Sequence, residues 1–263
     1  MRISLVLTSF LFSILLQAQN LVVNSSFENY HSCPNTLAHY NKFVKKWSSA
    51  SFGSPDYFNV CSQKMNIPNT YQGYQEAKFG KGFSGFHSYI KQGQYAYREY
   101  IIGTLTQTLI KGQKYKVSFY INLADKSRYA IKSINVLLSQ KVYYSSFSSE
   151  ISEYDRMLKI KKNKNQFNFI NIKNNSFYTD KENWILVSQE FIAQGFENFI
   201  IIGNFNNNSD TEKEIVKHFF SKKMAYYFID QVSVEPILEE EYNSTRTIPT
   251  KKAPVNRLQK LSL

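Results

Sequence analysis

The sequence predicts an all-β fold built as a sandwich. Short runs rich in Tyr, Phe, Ile and Val are separated by Gly, Asn, Ser and Lys, which is the pattern of strands joined by turns. Long amphipathic helices are hard to find, whereas 19 Tyr and 21 Phe are available to fill a core. The chain of 263 residues is long enough for one β-sandwich domain with insertions.

The strand pattern is clearest in seven stretches, at 97–109, 115–123, 131–139, 166–172, 184–193, 198–205 and 225–234. In 115–123 the odd-numbered positions from Tyr115 to Ile121 are apolar and those between them are more polar, so one face is apolar and the other amphipathic. The stretch 199–202 is apolar on both faces, which predicts a strand buried in the middle of the sandwich.

The remaining segments are assigned to processing, insertions and a tail. Residues 1–19 combine one cation, an apolar run and a small residue near the end, which is the layout of a secretory signal peptide. We expect an exported chain without a membrane span, and a binding domain over 20–237. Lys- and Asn-rich composition marks 141–181 and 206–223 as insertions, with a short helix at 212–220, and 238–263 as a basic flexible tail.

The chain contains two cysteines, Cys33 and Cys61, and both lie in the exported portion. An oxidising compartment favours a structural disulfide between them. A redox or metal-binding pair is the alternative, but such pairs are usually closer, as in C-x-x-C.

The formal net charge is +12, and much of the excess is local: 156–181 holds seven cations and 246–260 holds five. Neither stretch shows the aromatic interleaving or the helical spacing of a nucleic-acid surface, so we expect no nucleic-acid partner. The basic loop and tail could still meet an acidic protein partner.

A family resemblance rests on six motifs that follow one another in order, "LVVNSSFENYHSCP", "PDYFNVCS", "GYQEAKFGKGFSG", "YREYIIGTLTQTLIKGQKYKVSFYINLADKSRYAI", "WILVSQEFIAQGFENFIIIGNF" and "YYFIDQVSV". Together they resemble the jelly-roll domains, similar to galactose-binding-like carbohydrate-binding modules, of exported surface proteins in Gram-negative gliding-type bacteria. The resemblance covers about 20–236 and is most specific over 97–131. It implies a jelly-roll β-sandwich. Such domains often precede an OmpA-like domain, but the chain after Val234 is too short to carry that anchoring over.

The resemblance also implies a structural Ca²⁺. Modules of this group commonly hold the ion between a glutamate near the first strand and an aspartate on the last, and Glu28 and Asp230 match those positions. A hard cation needs six to eight oxygen ligands, which two carboxylates and backbone carbonyls could supply. The alternative is that both carboxylates bond backbone amides where the terminal strands meet.

Catalysis finds little support in the sequence. The four histidines form neither H-x-x-x-H nor H-E-x-x-H, and G-x-S-x-G is absent, so no catalytic residue is assigned. Glu99 and Asp125 could form the carboxylate pair of a glycoside hydrolase, but the sequence does not fix their separation.

Sugar binding needs exposed aromatic faces and nearby polar groups. The candidate ligand-binding residues are those in the best-matched motif, Tyr97, Arg98, Arg128 and Tyr129. The alternative for Arg128 is an ion pair with Asp125 inside a loop. We therefore expect an exported, non-catalytic module that binds a glycan or cell-envelope polymer. The alternative function is a structural or protein-interaction domain of the envelope or of secretion and gliding machinery.

Overall fold

A computed structural model describes residues 19–37, 39–50, 53–90, 97–142, 166–172, 174–216 and 221–238. These residues form one short helix and fourteen strands. In chain order they are α1 (Tyr40–Phe43), β1 (Trp47–Ser49), β2 (Asp56–Asn59), β3 (Asn69–Thr70), β4 (Gly73–Tyr74), β5 (Gly82–Ile90), β6 (Ile101–Thr104), β7 (Lys114–Leu123), β8 (Tyr129–Ile131), β9 (Asn135–Ser139), β10 (Phe167–Ile170), β11 (Ile185–Ile192), β12 (Phe199–Gly203), β13 (Lys213–Ile215) and β14 (Met224–Pro236).

Two five-stranded antiparallel sheets form a jelly-roll β-sandwich, as predicted. The first sheet has the order β1-β6-β12-β9-β10, and the second has the order β11-β7-β14-β5-β2. The main core lies between them and draws on both, for example Phe119 and Ile229 of the second sheet with Val136 and Ile200 of the first. Two small sheets, β13-β8 and β3-β4, lie outside the sandwich order.

Strand β14 is the centre of the second sheet and is buried on both faces. It pairs with β7 on one side and β5 on the other. Tyr227 and Ile229 face the main core, whereas Tyr226 and Phe228 belong to a second apolar cluster on the outer face. Because apolar side chains lie on both faces of β14, the outer face of the sheet also needs a layer that covers it.

That covering layer is the strap, residues 65–79, which includes the β3–β4 hairpin. Met65 packs into the outer cluster with Phe58 and Phe228. The far end of the strap is fixed by polar contacts, since the Trp184 indole N–H donates to the Glu76 carbonyl at 3.0 Å. The strap therefore crosses the outer face from β2 towards β11 and leaves only part of that face open.

All seven predicted strands are present, five of them shorter than predicted and two, β7 and β14, slightly longer. The predicted stretch 131–139 is split, because β8 ends at Ile131 and β9 begins at Asn135. The short helix expected at 212–220 is wrong over 213–215, since these residues form β13 and pair with β8. The signal peptide, the tail beyond residue 238 and most of the 141–181 insertion lie outside the described residues.

The predicted disulfide between Cys33 and Cys61 is confirmed, with a Cα–Cα distance of 5.9 Å. It ties the loop around residue 34 to the turn after β2. The hydroxyl of Ser62 donates to the Pro34 carbonyl beside it, so a covalent and a polar link hold the same loop.

None of the helices in the described part of the chain is long and apolar enough to span a bilayer.

Removing the disulfide should destabilise the fold. We expect the double variant Cys33→Ser, Cys61→Ser to lose about 3 kcal/mol in the free energy of unfolding, because the bond closes a long loop in the unfolded chain. Urea unfolding of the variant and of the wild type measures the difference, and reduced wild type is the control. An unchanged unfolding midpoint in the variant would contradict a stabilising role.

Candidate functional site

A pocket of about 540 Å³ opens on the outer face of the second sheet, at its β2–β5 edge. Its walls come from β2, β5, the strap, the segment before β6 and the start of β14. The residues used below are Asp56, Tyr71, Gln72, His87, Tyr97 and Glu99 in the walls, and Lys222 and Lys223, which are exposed at the mouth.

Asp56 is a buried carboxylate, 5% exposed, held by two phenols. The Tyr226 hydroxyl donates to Asp56 Oδ2 at 2.8 Å, and the Tyr71 hydroxyl donates to the same oxygen. Asp56 pairs with Gly85 on β5, and a Cβ on Gly85 would lie 2.4 Å from the Tyr226 oxygen. The glycine thus makes room for the ring that orients the carboxylate.

Glu99 is a second buried acid in the pocket, 2% exposed. Its Oε1 accepts the Tyr97 hydroxyl at 2.7 Å, and its Oε2 accepts the His87 backbone N–H at 2.7 Å. Burial raises the pKa of Glu99 to about 8, and the negative charge of Asp56 raises it further. Glu99 therefore keeps its proton at neutral pH, and the pocket carries one interior negative charge rather than two.

His87 stands between two rings, with centroids 4.8 Å from Tyr226 and 5.9 Å from Tyr97. Burial lowers the pKa of His87 to about 4, and the charge of Lys222 lowers it further, so the imidazole is neutral. Two buried polar atoms, His87 Nδ1 and Gln72 Oε1, have no hydrogen-bond partner among the described residues. Buried polar atoms are normally bonded, so these two are exceptions, and both belong to side chains that line the pocket.

Of the four predicted ligand-binding residues, only Tyr97 lines this pocket. Arg98 is 5% exposed, and it donates to Tyr97 O at 2.9 Å and to Asn208 Oδ1 at 2.7 Å. Its guanidinium also lies 5.1 Å from the Tyr89 ring centroid. Arg98 thus fastens the 206–211 loop to the segment before β6.

Arg128 and Tyr129 lie in different environments. Arg128 is exposed, and the described ion pairs do not join it to Asp125, which instead accepts the Tyr74 backbone N–H at 2.8 Å. Tyr129 is 8% exposed and packs edge-on against Tyr89 in the main core. The structure therefore brings Tyr97 to the pocket, puts Arg128 near its mouth, and places Tyr129 in the core.

Glu28 and Asp230 follow the alternative to calcium binding. Glu28 Oε1 accepts the N–H groups of Lys81 and Gly82 at 2.9 and 3.0 Å. Asp230 Oδ2 accepts the Phe79 N–H at 2.9 Å. Burial raises the pKa of Asp230 to about 7, and the charge of Glu28 adds to this.

These contacts do not fit a calcium centre. The loop turns its N–H groups towards both carboxylates, whereas Ca²⁺ needs six to eight oxygen ligands. The part of the chain that the structure describes contains no group of three or more His, Cys, Asp or Glu able to hold a metal ion. The structural Ca²⁺ is therefore not supported.

The pocket also contains four residues that were not predicted from the sequence to bind a ligand: Asp56, Tyr71, Gln72 and His87. The sequence suggested Glu99 and Asp125 as a carboxylate pair, whereas the structure places Asp56 in the pocket with Glu99. In the sequence, Asp56 lies in the motif "PDYFNVCS", and the other three residues flank the motif "GYQEAKFGKGFSG". Neither motif indicates that these residues lie close together in the fold.

No family model and no curated protein matches the chain. Similar solved structures include the CBM22-1 xylan-binding domain of Xyn10C from Paenibacillus barcinonensis, at 12% identity and a TM-score of 0.40, covering 73% of this chain and 86% of that one. Another is the K1 cleaved adhesin domain of Lys-gingipain from Porphyromonas gingivalis, at 15% identity and a TM-score of 0.35, covering 83% and 98%. At these identities and TM-scores the likeness shows neither a family for this chain nor what it binds.

The buried acid Glu99 should make stability fall with rising pH. The unfolded carboxyl loses its proton near pH 4.5 and the folded one near pH 8, so the stabilising effect of the retained proton is lost as pH rises through 8. Between pH 7 and 9 this single group should lower the free energy of unfolding by about 1.4 kcal/mol. Urea unfolding at pH 7, 8 and 9 measures it.

The variant Glu99→Gln should remove most of that pH dependence, because the amide does not titrate. Exposed Glu190→Gln is the matched control and should behave as the wild type. Above pH 7 the contribution of His87 is already complete, whereas Asp230, with a pKa raised to about 7, adds a smaller fall in stability that Glu99→Gln retains. A wild type equally stable at pH 7 and 9 would contradict a buried, protonated Glu99.

Calcium should not stabilise the protein. Adding Ca²⁺ to chelated protein should leave the melting temperature unchanged, because a ligand raises it only by binding the folded state. Differential scanning fluorimetry with a Mg²⁺ control measures this. A Ca²⁺-specific rise that disappears in Glu28→Gln would show that Glu28 and Asp230 do hold the ion.

Proposed function

We propose that this protein is an exported, non-catalytic carbohydrate-binding module whose binding site is the pocket described above. The observation that carries the proposal is a pocket whose lining combines the rings of Tyr71 and Tyr97 with the polar side chains of Gln72 and His87. A sugar ring presents an apolar face and a rim of hydroxyls, and a pocket with both kinds of group matches it.

The pocket is held rigid before any ligand arrives. Asp56 is fixed by two phenols, and Glu99 is fixed by Tyr97 and by the β5 backbone. A pre-organised site favours affinity because few side chains must be ordered on binding. The same bonds hold both acids in contacts with the protein, which supports binding over acid and base catalysis.

The strap restricts where a ligand can lie. Along β14, Met224 lines the pocket, Phe228 belongs to the cluster that the strap covers, and Asp230 bonds the strap at Phe79. A second cavity of about 340 Å³ begins beyond, around Gln231. A saccharide therefore meets the outer face at one end, in the pocket, rather than along the whole sheet.

Export is supported by two features of the chain. The first residues have the layout of a signal peptide, and the Cys33–Cys61 bond is of a kind that persists in oxidising compartments. We infer that the protein acts at the cell surface or in the envelope, where glycan polymers are accessible.

A glycan array probed with the purified protein tests the function, with plant, microbial and host saccharides on one surface and with EDTA present or absent. The result expected is retention of a limited set of saccharides, unaffected by EDTA. If no saccharide is retained at high protein concentration, the proposal of a carbohydrate-binding module is wrong, and the alternative of a structural or protein-interaction domain is favoured.

The variant Gln72→Leu separates binding from folding. Leucine is of similar size, and it removes the hydrogen bond between the Gln72 and Tyr71 side chains, so stability should fall by no more than about 1 kcal/mol. Affinity for the saccharide retained on the array should fall about tenfold, which corresponds to one lost hydrogen bond of about 1.4 kcal/mol. Isothermal titration calorimetry and urea unfolding measure the two effects.

Exposed Gln140→Leu, at the end of β9 in the other sheet, is the matched control and should bind as the wild type. Unchanged affinity in Gln72→Leu would show that Gln72 does not contact the saccharide and would contradict the proposed binding site.

A further inference from the structure

We infer that the pocket takes an acidic saccharide, one whose ring hydroxyls enter the pocket while a carboxylate or sulfate group meets three cations at the mouth. This inference rests on the proposed function and adds the chemical class of the ligand. The three cations are Arg128, Lys222 and Lys223, which together form the basic rim. All three are exposed.

The backbone holds the basic rim together. The Arg128 N–H donates to the carbonyls of Lys222 and Met224, at 3.1 Å each. The Lys222 N–H donates to the Lys126 carbonyl at 2.7 Å, and Ser127 forms an isolated parallel bridge with Lys222. These bonds join the segment before β8 to the segment before β14. Lys222 and Lys223 line the pocket, and Arg128 is bonded directly beside them.

No acidic residue in the described part of the chain forms an ion pair with the rim cations. The two ion pairs found among the described residues are Lys114 with Glu190 and Lys132 with Glu212, and neither includes a rim cation. Unpaired cations at the mouth of a pocket attract anionic ligands and raise their local concentration. The positive charge is therefore available to a ligand.

The interior of the pocket has the opposite preference. Asp56 is a buried carboxylate, and its charge would repel a ligand carboxylate inserted to the same depth. The Gln72 side chain lines the pocket, and its amide suits a hydroxyl group. Interior and rim together fix an orientation, with hydroxyls inward and the anion outward at Lys222 and Lys223.

The preference for an acidic saccharide should be modest, because the rim cations are exposed to solvent. Charge pairs at exposed sites are weak and are screened by salt. Two or three such contacts should favour an acidic saccharide over its neutral counterpart by about three- to tenfold at low ionic strength, and the preference should shrink towards one at 1 M salt.

Matched pairs of trisaccharides test the preference by isothermal titration calorimetry in 20 mM and 1 M NaCl. The pairs are cellotriose with a β-1,4-linked triglucuronate, mannotriose with trimannuronate, and galactotriose with trigalacturonate. We expect the acidic member of at least one pair to bind three- to tenfold tighter at low salt. A sulfated trisaccharide of the same backbone then distinguishes a carboxylate from a sulfate ligand.

Two double variants locate the preference. Lys222→Gln with Lys223→Gln should make the acidic and neutral members bind equally. Lys111→Gln with Lys116→Gln removes the same net charge at exposed positions near the start of β7, and it should keep the preference. If both variants lose the preference for the acidic saccharide equally, the preference is a general effect of net charge, and the proposed role of the basic rim is wrong.

The remaining outcomes separate this inference from the proposed function. If a neutral member binds as tightly as its acidic partner, the acidic class is wrong and carbohydrate binding stands. If none of the six trisaccharides binds, the inference is overturned, and the glycan array alone decides whether the protein binds another saccharide.

Discussion

The burial of β14 on both faces is the constraint on which the rest of the molecule depends. A central strand with Tyr227 and Ile229 on one side and Tyr226 and Phe228 on the other cannot be satisfied by a single opposing sheet. The first sheet covers one face, and the strap covers part of the other. The strap leaves the outer face uncovered around Asp56 and His87, and the candidate pocket opens there.

Three acids of the outer face are buried, and each is stabilised differently. Asp56 accepts hydrogen bonds from two phenols, Asp230 bonds backbone N–H groups, and Glu99 retains its proton. A buried charge is costly unless it is bonded or neutralised, so these three solutions limit what each acid can do. Asp230 serves the attachment of the strap, whereas Asp56 and Glu99 lie where a ligand can reach the pocket.

The sequence predicts the sheets better than the site, for a physical reason. The alternation in 115–123 and the doubly apolar 199–202 are local patterns, and both became strands, as did the Cys33–Cys61 link. The pocket depends on contacts between distant segments, which no local pattern encodes. Arg98 shows the difficulty: its motif suggested a ligand, but its partner Asn208 lies 110 residues away, in a loop whose position the sequence does not reveal.

Two buried polar atoms in the pocket wall lack hydrogen-bond partners among the described residues, although the polar groups around them are bonded. Tyr71, Tyr97 and Tyr226 each place a hydroxyl on a carboxyl, so the available donors are already used inside the wall. Gln72 Oε1 and His87 Nδ1 remain beside them, buried and unbonded. An unsatisfied buried polar atom costs stability, so these two atoms are a destabilising feature of the pocket wall.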